Sequence, residues 1–343
     1  MNRLTFIGSI QLNSPSTGGG VQTKNQHFLR YILSKNVDCR VFDTWKKKSV
    51  LSLIMSLIYI VRTKRSEPII LSISTRGAYY IAKILNLTHL KRRIFYWVAG
   101  GDLAIDLKNV SLKNRRVYDV FTKVVVQCNY LKRDLEELSI TNCAMVPNFK
   151  PVIFKPTIDK AIFEKISFVY FSRVLIQKGI EEIIQAFKSL DNKNICLDIY
   201  GTLVPPYDEG YFKDFYYLNI NYKGFLDVSV EDGYKQLSEY DVLLFPTYFK
   251  GEGFPGTLLD AFIAGVPVIA SDFHANGEVL VDGYNGLLIP PKDAVALSTA
   301  MNRLISDIDL RKKLRKNAIL TAREYDVEMI LDEAFARLKI FED

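Results

Sequence analysis

Short runs of β-branched and aromatic residues alternate with helix-length amphipathic stretches through the first 150 positions of the chain. The runs Leu4–Ile10, Cys39–Phe42, Ile69–Ser74, Ile94–Val98 and Val124–Gln127 predict strands. Between them, Val21–Ser34, Val50–Arg62, Ala78–Leu87 and Lys108–Val120 predict helices. A repeated β-α order of this kind builds a parallel sheet covered by helices on both faces. Cys143–Val146 reads as a last strand, ended by the turn chemistry of Pro147-Asn148. A second cycle opens with strand Ser167–Phe171, helix Ile180–Lys188 and strand Ile195–Tyr200. It continues through strands Tyr222–Phe225, Val242–Phe245 and Val266–Ala270 and closes on paired helices, Ala294–Ile305 and Leu310–Glu324. The pattern predicts two doubly wound α/β domains, 1–150 and 151–326, with a linker near 148–160. They repeat an architecture and share no short sequence repeat.

Composition supports that division. A chain of 343 residues exceeds one core of ordinary size. With 48% hydrophobic and 24% charged residues, it is neither disordered nor fibrous. Cys39, Cys128, Cys143 and Cys196 form no Cys-x-x-Cys pair, which argues against a disulfide framework or a structural zinc site and for a reducing, cytoplasmic compartment. The short apolar run near the start reads as a first strand rather than a signal peptide.

Charge is unevenly spread: 24 Lys and Arg against 9 Asp and Glu in residues 1–150, but 21 against 29 in residues 151–343. A basic front half suits an anionic partner, here a phospholipid surface. Nucleic acid is not expected, because no RNP-like string, zinc finger or aromatic-interleaved basic region is present. Val50–Val61 (VLSLIMSLIYIV) is a 12-residue apolar run between Lys46–Lys48 and Arg62, Lys64 and Arg65. Spanning a bilayer takes about 20 such residues, so a buried helix is expected. The functional alternative is a helix lying in the membrane interface with its cations on headgroups.

Candidate chemistry concentrates in Tyr240–Pro290. There a strand, YDVLLFP, passes through the loop TYFKGEGFPG into the helix TLLDAFIAG. Gly251, Gly253 and Gly256 let the backbone approach a ligand closely. The helix start aims unpaired N–H groups and its positive dipole end at the same space, a natural seat for a pyrophosphate. Two carboxylates, Glu252 and Asp260, flank it and could accept hydrogen bonds from sugar or ribose hydroxyls. Thr257-x-x-Asp260 also matches a capping box, in which Asp260 would only tie off the helix. GEGFPG fits Gly-x-Gly-x-x-Gly as well, with Asp272 placed 21 residues after Gly251 as a dinucleotide fold would have it. An NAD-dependent oxidoreductase is therefore the rival enzyme class. Arg173 and Lys178 leave the first strand of the back half together and could neutralise a diphosphate, or else pair with Glu181 or Glu182.

The order SRV…QKG, DIYG, YKGF, YDVLLFPT, EGFPGTLLDAFIAGVPVIASD and NGLLIPP resembles the retaining family 4 glycosyltransferases of GT-B fold. Their Glu-x7-Glu signature reads Glu252-x7-Asp260 here. The resemblance implies two Rossmann-like domains clamping a UDP- or GDP-linked sugar in a central cleft. It implies diphosphate binding by Arg173 and Lys178, sugar contact by Glu252 and ribose contact by Asp260. Backbone amides of Gly253, Phe254, Pro255, Gly256 and Thr257 would line the phosphate site (Pro255 without a donor), and Gly19 or Gly20 would close it. A last helix, about 327–341, would cross back onto the front domain.

Two departures stand out. Asp replaces the second Glu, and FYWVAGGDLAID lacks the histidine that many relatives carry near the reaction centre. Gly100, Gly101 and Asp102 are the acceptor-side candidates in its place. The implied reaction is a front-face displacement needing no cofactor and no divalent metal. Asp307-Ile308-Asp309 reads as a helix cap, and His27, His89 and His274 lack metal-ligand spacing. A peripheral enzyme of the inner membrane face, extending a lipid-linked or oligosaccharide acceptor in capsule, lipopolysaccharide or other surface polysaccharide, is the resulting expectation. A non-catalytic partner subunit of the same family is the third reading.

Overall fold

The computed structural model describes residues 3–11, 20–45, 49–158, 165–190 and 194–342. They group into two units, Met1–Pro151 with Lys250–Phe254 and Asp326–Asp343, and Val152–Phe249 with Pro255–Tyr325.

In the first unit, β1 (Arg3–Gly8), α1 (Gly20–Ser34), β2 (Asp38–Asp43), α2 (Ser49–Arg62), β3 (Ile69–Ser72), α3 (Thr75–Leu87) and β4 (Ile94–Trp97) follow in order. Then come α4 (Leu103–Leu107), α5 (Leu112–Arg115), β5 (Lys123–Val126), α6 (Asn129–Glu137) and β6 (Cys143–Met145). Among the described residues the strands form a parallel six-stranded sheet, β2-β1-β3-β4-β5-β6. β3 and β4 are buried at every position, which is why they read as unbroken apolar runs. Phe28 of α1 centres one core layer, with ring centroids 4.6 Å from Trp97, 5.4 Å from Phe6 and 5.8 Å from Phe149.

Three differences from the sequence expectation stand out in this unit. Lys108–Val120 is not one helix. Ser111 turns extended (φ −60°, ψ 150°), α5 starts after it, and a 3-10 turn at Arg116–Val120 tightens the chain to bury Tyr118 beside Tyr96 and Phe121. α6 was not legible because only Leu131 and Leu135, one turn apart, are buried in the charged NYLKRDLEE. Most consequentially, α2 is not a buried helix. Leu51, Ile54, Met55, Ile58 and Val61 are exposed, while Ser56 and Ile60 face the interior.

In the second unit, β7 (Ile166–Phe171), α7 (Ile180–Ser189), β8 (Ile195–Tyr200), α8 (Glu209–Lys213), β9 (Ile220–Gly224), α9 (Glu231–Ser238) and β10 (Val242–Phe245) lead to α10 (Gly256–Ala264). After it come β11 (Val268–Ser271), α11 (Asn276–Val279), β12 (Gly286–Ile289), α12 (Ala294–Ser306) and α13 (Ile308–Glu324). Their described strands form a second parallel sheet, β12-β11-β10-β7-β8-β9. α10 packs against α9 and α13, so its residues from Leu258 to Ala264 are all buried.

The last helix, α14 (Val327–Arg337), belongs to the first unit. It lies on α1, where Tyr31 Oη donates to Asp332 Oδ1 at 2.6 Å and Phe335 meets Phe28 at 5.9 Å between ring centroids. That hydrogen bond, helped by Lys35, holds the Asp332 carboxyl below its ordinary range. Among the described residues, no helix is long and apolar enough to cross a membrane.

Candidate functional site

The second sheet carries the candidate site at a place its strand order creates. From β7 the chain runs to β8 and β9 on one side, whereas β10 lies against β7 on the other. Connections leaving the carboxyl ends of two such neighbours diverge and open a crevice. The two motif loops of the second half, after β7 and after β10, both leave the sheet there.

The loop after β7 presents Arg173, which is exposed, and Lys178, only 6% exposed, on a 3-10 turn at Ile176–Lys178. The Arg173 guanidinium carbon lies 5.6 Å from the Phe249 ring centroid. Lys178 Nζ lies 5.7 Å from the same ring and 5.0 Å from that of Phe245. Both cations are thus gathered around one aromatic side chain of the β10 loop, a contact that favours positive charge over the ring face. Backbone ties fix the pair of loops. Tyr248 N–H donates to the Gln177 carbonyl at 2.8 Å, and Thr247 Oγ1 donates to the same oxygen at 3.4 Å. Gly179 holds φ +81°, and a Cβ there would stand 2.3 Å from the Pro246 carbonyl oxygen. Only glycine fits that approach.

Of the two acids weighed as partners for the cations, Glu181 accepts hydrogen bonds from Tyr207 Oη at 2.7 Å and Tyr211 Oη at 2.9 Å. Glu182 sits beside Tyr248 and Lys292, with burial pushing its carboxyl above the ordinary range. The aromatic group around Tyr207 is largely packing: Tyr207 and Phe212 are buried and Tyr211 and Phe215 lie against the core, while Tyr216 and Tyr217 are exposed.

α10 begins after Pro255 with no side chain capping it. The capping-box reading of Asp260 is therefore overturned. Its carboxylate, 3% exposed, points inward and accepts from Tyr234 Oη at 2.9 Å. Gly256 and Thr257, both half-buried, begin the helix, and Pro255 before them has no side-chain acceptor with which to cap it, so the positive end of the dipole lies at this loop.

Lys250–Phe254 groups with the first unit. A Cβ on Gly101 would stand 2.8 Å from the Glu252 carbonyl oxygen, and one on Gly253 would stand 3.2 Å from Gly101 N. The two glycines let these backbones pass at van der Waals distance. Glu252 is half-buried, and Asn148 Nδ2 donates to the Phe254 carbonyl at 3.4 Å. Gly100 faces open space and Asp102 is exposed at the start of α4. Gly20 is exposed at the first position of α1, and Gly19 lies outside the described residues.

The dinucleotide reading meets a geometric obstacle. β10 ends at Phe245 and α10 starts at Gly256, so Gly251 lies well beyond the strand end rather than in a tight strand-to-helix turn. Asp307, as its pattern suggested, caps α13 through Leu310 N–H at 2.8 Å. Among the described residues, no group of three or more His, Cys, Asp or Glu side chains is placed to hold a metal ion.

Sequence reasoning missed three residues. Tyr234 and Phe249 were unremarkable letters until folding brought them to Asp260 and the two cations. Lys24 carried a visible signal: it shares the α1 stripe of Phe28, Tyr31 and Ile32, where a core residue belongs. Its Nζ is buried without a hydrogen-bond partner, and burial lowers its pKa to about 7.

Residues 157–321 match the family described as glycosyl transferases group 1. The capsular polysaccharide biosynthesis glycosyltransferase CapM of Staphylococcus aureus is 30% identical over 152 residues, 43% of this chain and 39% of CapM. A Campylobacter jejuni N,N'-diacetylbacillosaminyl-diphospho-undecaprenol alpha-1,3-N-acetylgalactosaminyltransferase is 34% identical over 102 residues, 30% of this chain and 26% of that enzyme. These matches thus span less than half the length of either relative. Anabaena HepE, solved in complex with UDP, superposes with a TM-score of 0.73 over 99% of this chain and 100% of its own, at 14% identity. At that identity the likeness speaks for the GT-B fold alone.

Proposed function

We propose, from the match of residues 157–321 to the group 1 glycosyltransferases, an enzyme that moves a sugar from a nucleoside-diphosphate donor to a saccharide acceptor. The observation that carries this reading is that Arg173 and Lys178 gather around Phe249, in the loop that leads from β10 towards α10, at the carboxyl ends of the neighbours β7 and β10. Two cations gathered there suit a diphosphate, whose charge grows as the glycosidic bond to it breaks.

The roles follow from chemistry. Arg173 forks onto phosphate oxygens, and Lys178, held by its aromatic neighbours, supplies a point charge. Amides of Gly253, Phe254, Gly256 and Thr257 donate to the same groups. Asp260, oriented by Tyr234, accepts from the ribose hydroxyls, and Glu252 from the sugar. The reaction proceeds with retention: the bond from the anomeric carbon to the diphosphate breaks, and a bond to the acceptor oxygen forms on the same face. The departing phosphate oxygen takes the acceptor's proton. Positioning and charge stabilisation are then the protein's contribution, with no divalent metal in the scheme.

The donor is a UDP- or GDP-linked sugar. A lipid-linked acceptor in capsule or other surface polysaccharide synthesis is supported by the activities of the Staphylococcus and Campylobacter relatives. The surplus of 15 positive charges in residues 1–150 supports work at an anionic membrane surface on the cytoplasmic side. A mass-spectrometric screen of UDP- and GDP-sugars for hydrolysis or transfer, run beside Lys178→Ala, tests the reading. Turnover of one donor that the variant loses while staying folded is the expected result. Tight binding of NADH with no response to any nucleotide sugar would overturn it, and a folded protein binding neither would favour a non-catalytic subunit.

A further inference from the structure

Helix α2 is apolar on its outer side as well as its inner one. Residues step about 100° around a helix axis, so Leu51, Ile54, Met55, Ile58 and Val61 fall along one stripe. All five are exposed, between 42% and 64%. The opposite side carries Ser56, fully buried and donating to the Leu53 carbonyl at 2.7 Å, with Ile60 buried beside it. A helix on a solvated surface turns polar residues outward and keeps apolar ones for its inner side alone.

The arrangement is anchored. Tyr59 packs on Phe42 of β2 and beneath the Arg40 guanidinium, 4.6 Å from its ring centroid. Arg92, from the loop before β4, donates to the Ile60 carbonyl at 2.7 Å and the Val61 carbonyl at 2.6 Å, closing the helix end. These ties keep the apolar stripe outward. Arg62, Lys64 and Arg65 follow at once, all exposed. α2 joins β2 to β3 and α3 joins β3 to β4, two crossovers in the same direction, so right-handedness puts both helices on one face of the sheet. α3 also turns Tyr80, Leu87 and Lys83 to the outside.

We propose that this face docks on an anionic lipid bilayer, with α2 lying in the interfacial layer. The apolar stripe enters the headgroup–acyl boundary, and Arg62, Lys64 and Arg65 meet lipid phosphates. A lipid surface satisfies both features at once: an exposed apolar stripe needs a partner that removes it from water, and the adjoining cations need an anionic one. A 14-residue helix lies on such a surface rather than spanning it. The proposal deepens the membrane association given above and rests on that part of the reading alone.

Flotation of the purified chain with vesicles of phosphatidylglycerol and phosphatidylcholine, and with phosphatidylcholine alone, tests it. The wild-type chain is expected to float with the anionic vesicles. The double variant Ile54→Ser/Ile58→Ser should lose about tenfold or more of that partition. Arg62→Ser/Lys64→Ser/Arg65→Ser should lose the preference for anionic lipid and its dependence on salt. Because the altered side chains are exposed, thermal melting should match wild type in both variants, and UDP-sugar binding in solution should be unchanged. Equal flotation of wild type and the double serine variant overturns the proposal. So does a wild-type dimer, seen by analytical ultracentrifugation, that the serine variant dissociates while neither floats; the face would then join two copies. Stripe-dependent flotation by a chain that binds no nucleotide sugar would keep this surface and remove the transferase reading.

Discussion

Tyr234 Oη donates to Asp260 Oδ1 at 2.9 Å, and both side chains are buried. Burial, and then the neighbouring carboxylate, raise the Tyr234 hydroxyl well above its ordinary pKa, so it remains a donor throughout the working range. Taking that donor from a buried carboxylate costs roughly 1–3 kcal/mol. Tyr234→Phe should therefore lower the urea midpoint by that free energy and weaken nucleotide binding. An unchanged midpoint would mean that other groups satisfy Asp260.

Lys178 and Arg173 differ in what replacement should do. Lys178→Ala removes a buried charge proposed to meet the diphosphate, and kcat/KM should fall by about 10²–10³. Arg173→Lys keeps the charge and loses the planar fork, so a fall of about tenfold is expected. Initial rates against donor concentration separate the effects. A rise in KM with unchanged kcat would make Lys178 a binding group and not a stabiliser of the departing diphosphate.

Gly179→Ala should be costly although it adds one methyl group. The position holds φ +81°, and the new Cβ would meet the Pro246 carbonyl. A loss of about 2 kcal/mol or more in unfolding free energy is expected. Activity should fall with it, because the same residue sets where Lys178 leaves the β7 loop. A variant as stable and active as wild type would show the two loops to be independent.

Transfer should proceed at its full rate in EDTA, since the proposed scheme gives the leaving phosphate's charge to Arg173, Lys178 and the α10 amides. Activity abolished by the chelator and restored by Mg²⁺ or Mn²⁺ would overturn that assignment.

Lys24 predicts a pH dependence of stability. Its folded pKa is lowered by burial from 10.5 to about 7, so the native state prefers the neutral amine. Between pH 7 and 10.5 the unfolded chain binds a proton that the folded chain does not. Stability from this residue therefore rises with pH across the window and is lowest below it. Lys24→Met should flatten that slope and stabilise the protein most near pH 6, where the folded state would have to hold a buried ammonium. Chemical denaturation of both proteins at pH 6 and pH 9 checks the sign.

Much of the site was legible because its signals are local. Glycines in a loop, a carboxylate on each side and a Lys after a strand are read within a few residues of one another. Arg173, Lys178, Glu252 and Asp260 were all singled out as candidates that way. Where Asp260 points was not legible. Thr257-x-x-Asp260 permits a cap, whereas in the fold Tyr234, 26 positions earlier, donates to the inward-pointing carboxylate. Lys108–Val120 failed for a related reason: the burial of Tyr118 against Tyr96, on a different strand, outweighed the helical pattern.

Alone, the chain's letters determined two β-α cycles, because strands covered on both faces must be apolar at every position and their helices must carry an apolar stripe. Tertiary structure decided what depends on neighbours distant along the chain. It set β10 against β7, which brings the two motif loops to one crevice, and it turned the apolar stripe of α2 outward. Periodicity tells which side of a segment is apolar; which side meets protein is settled only when the rest of the chain packs against it.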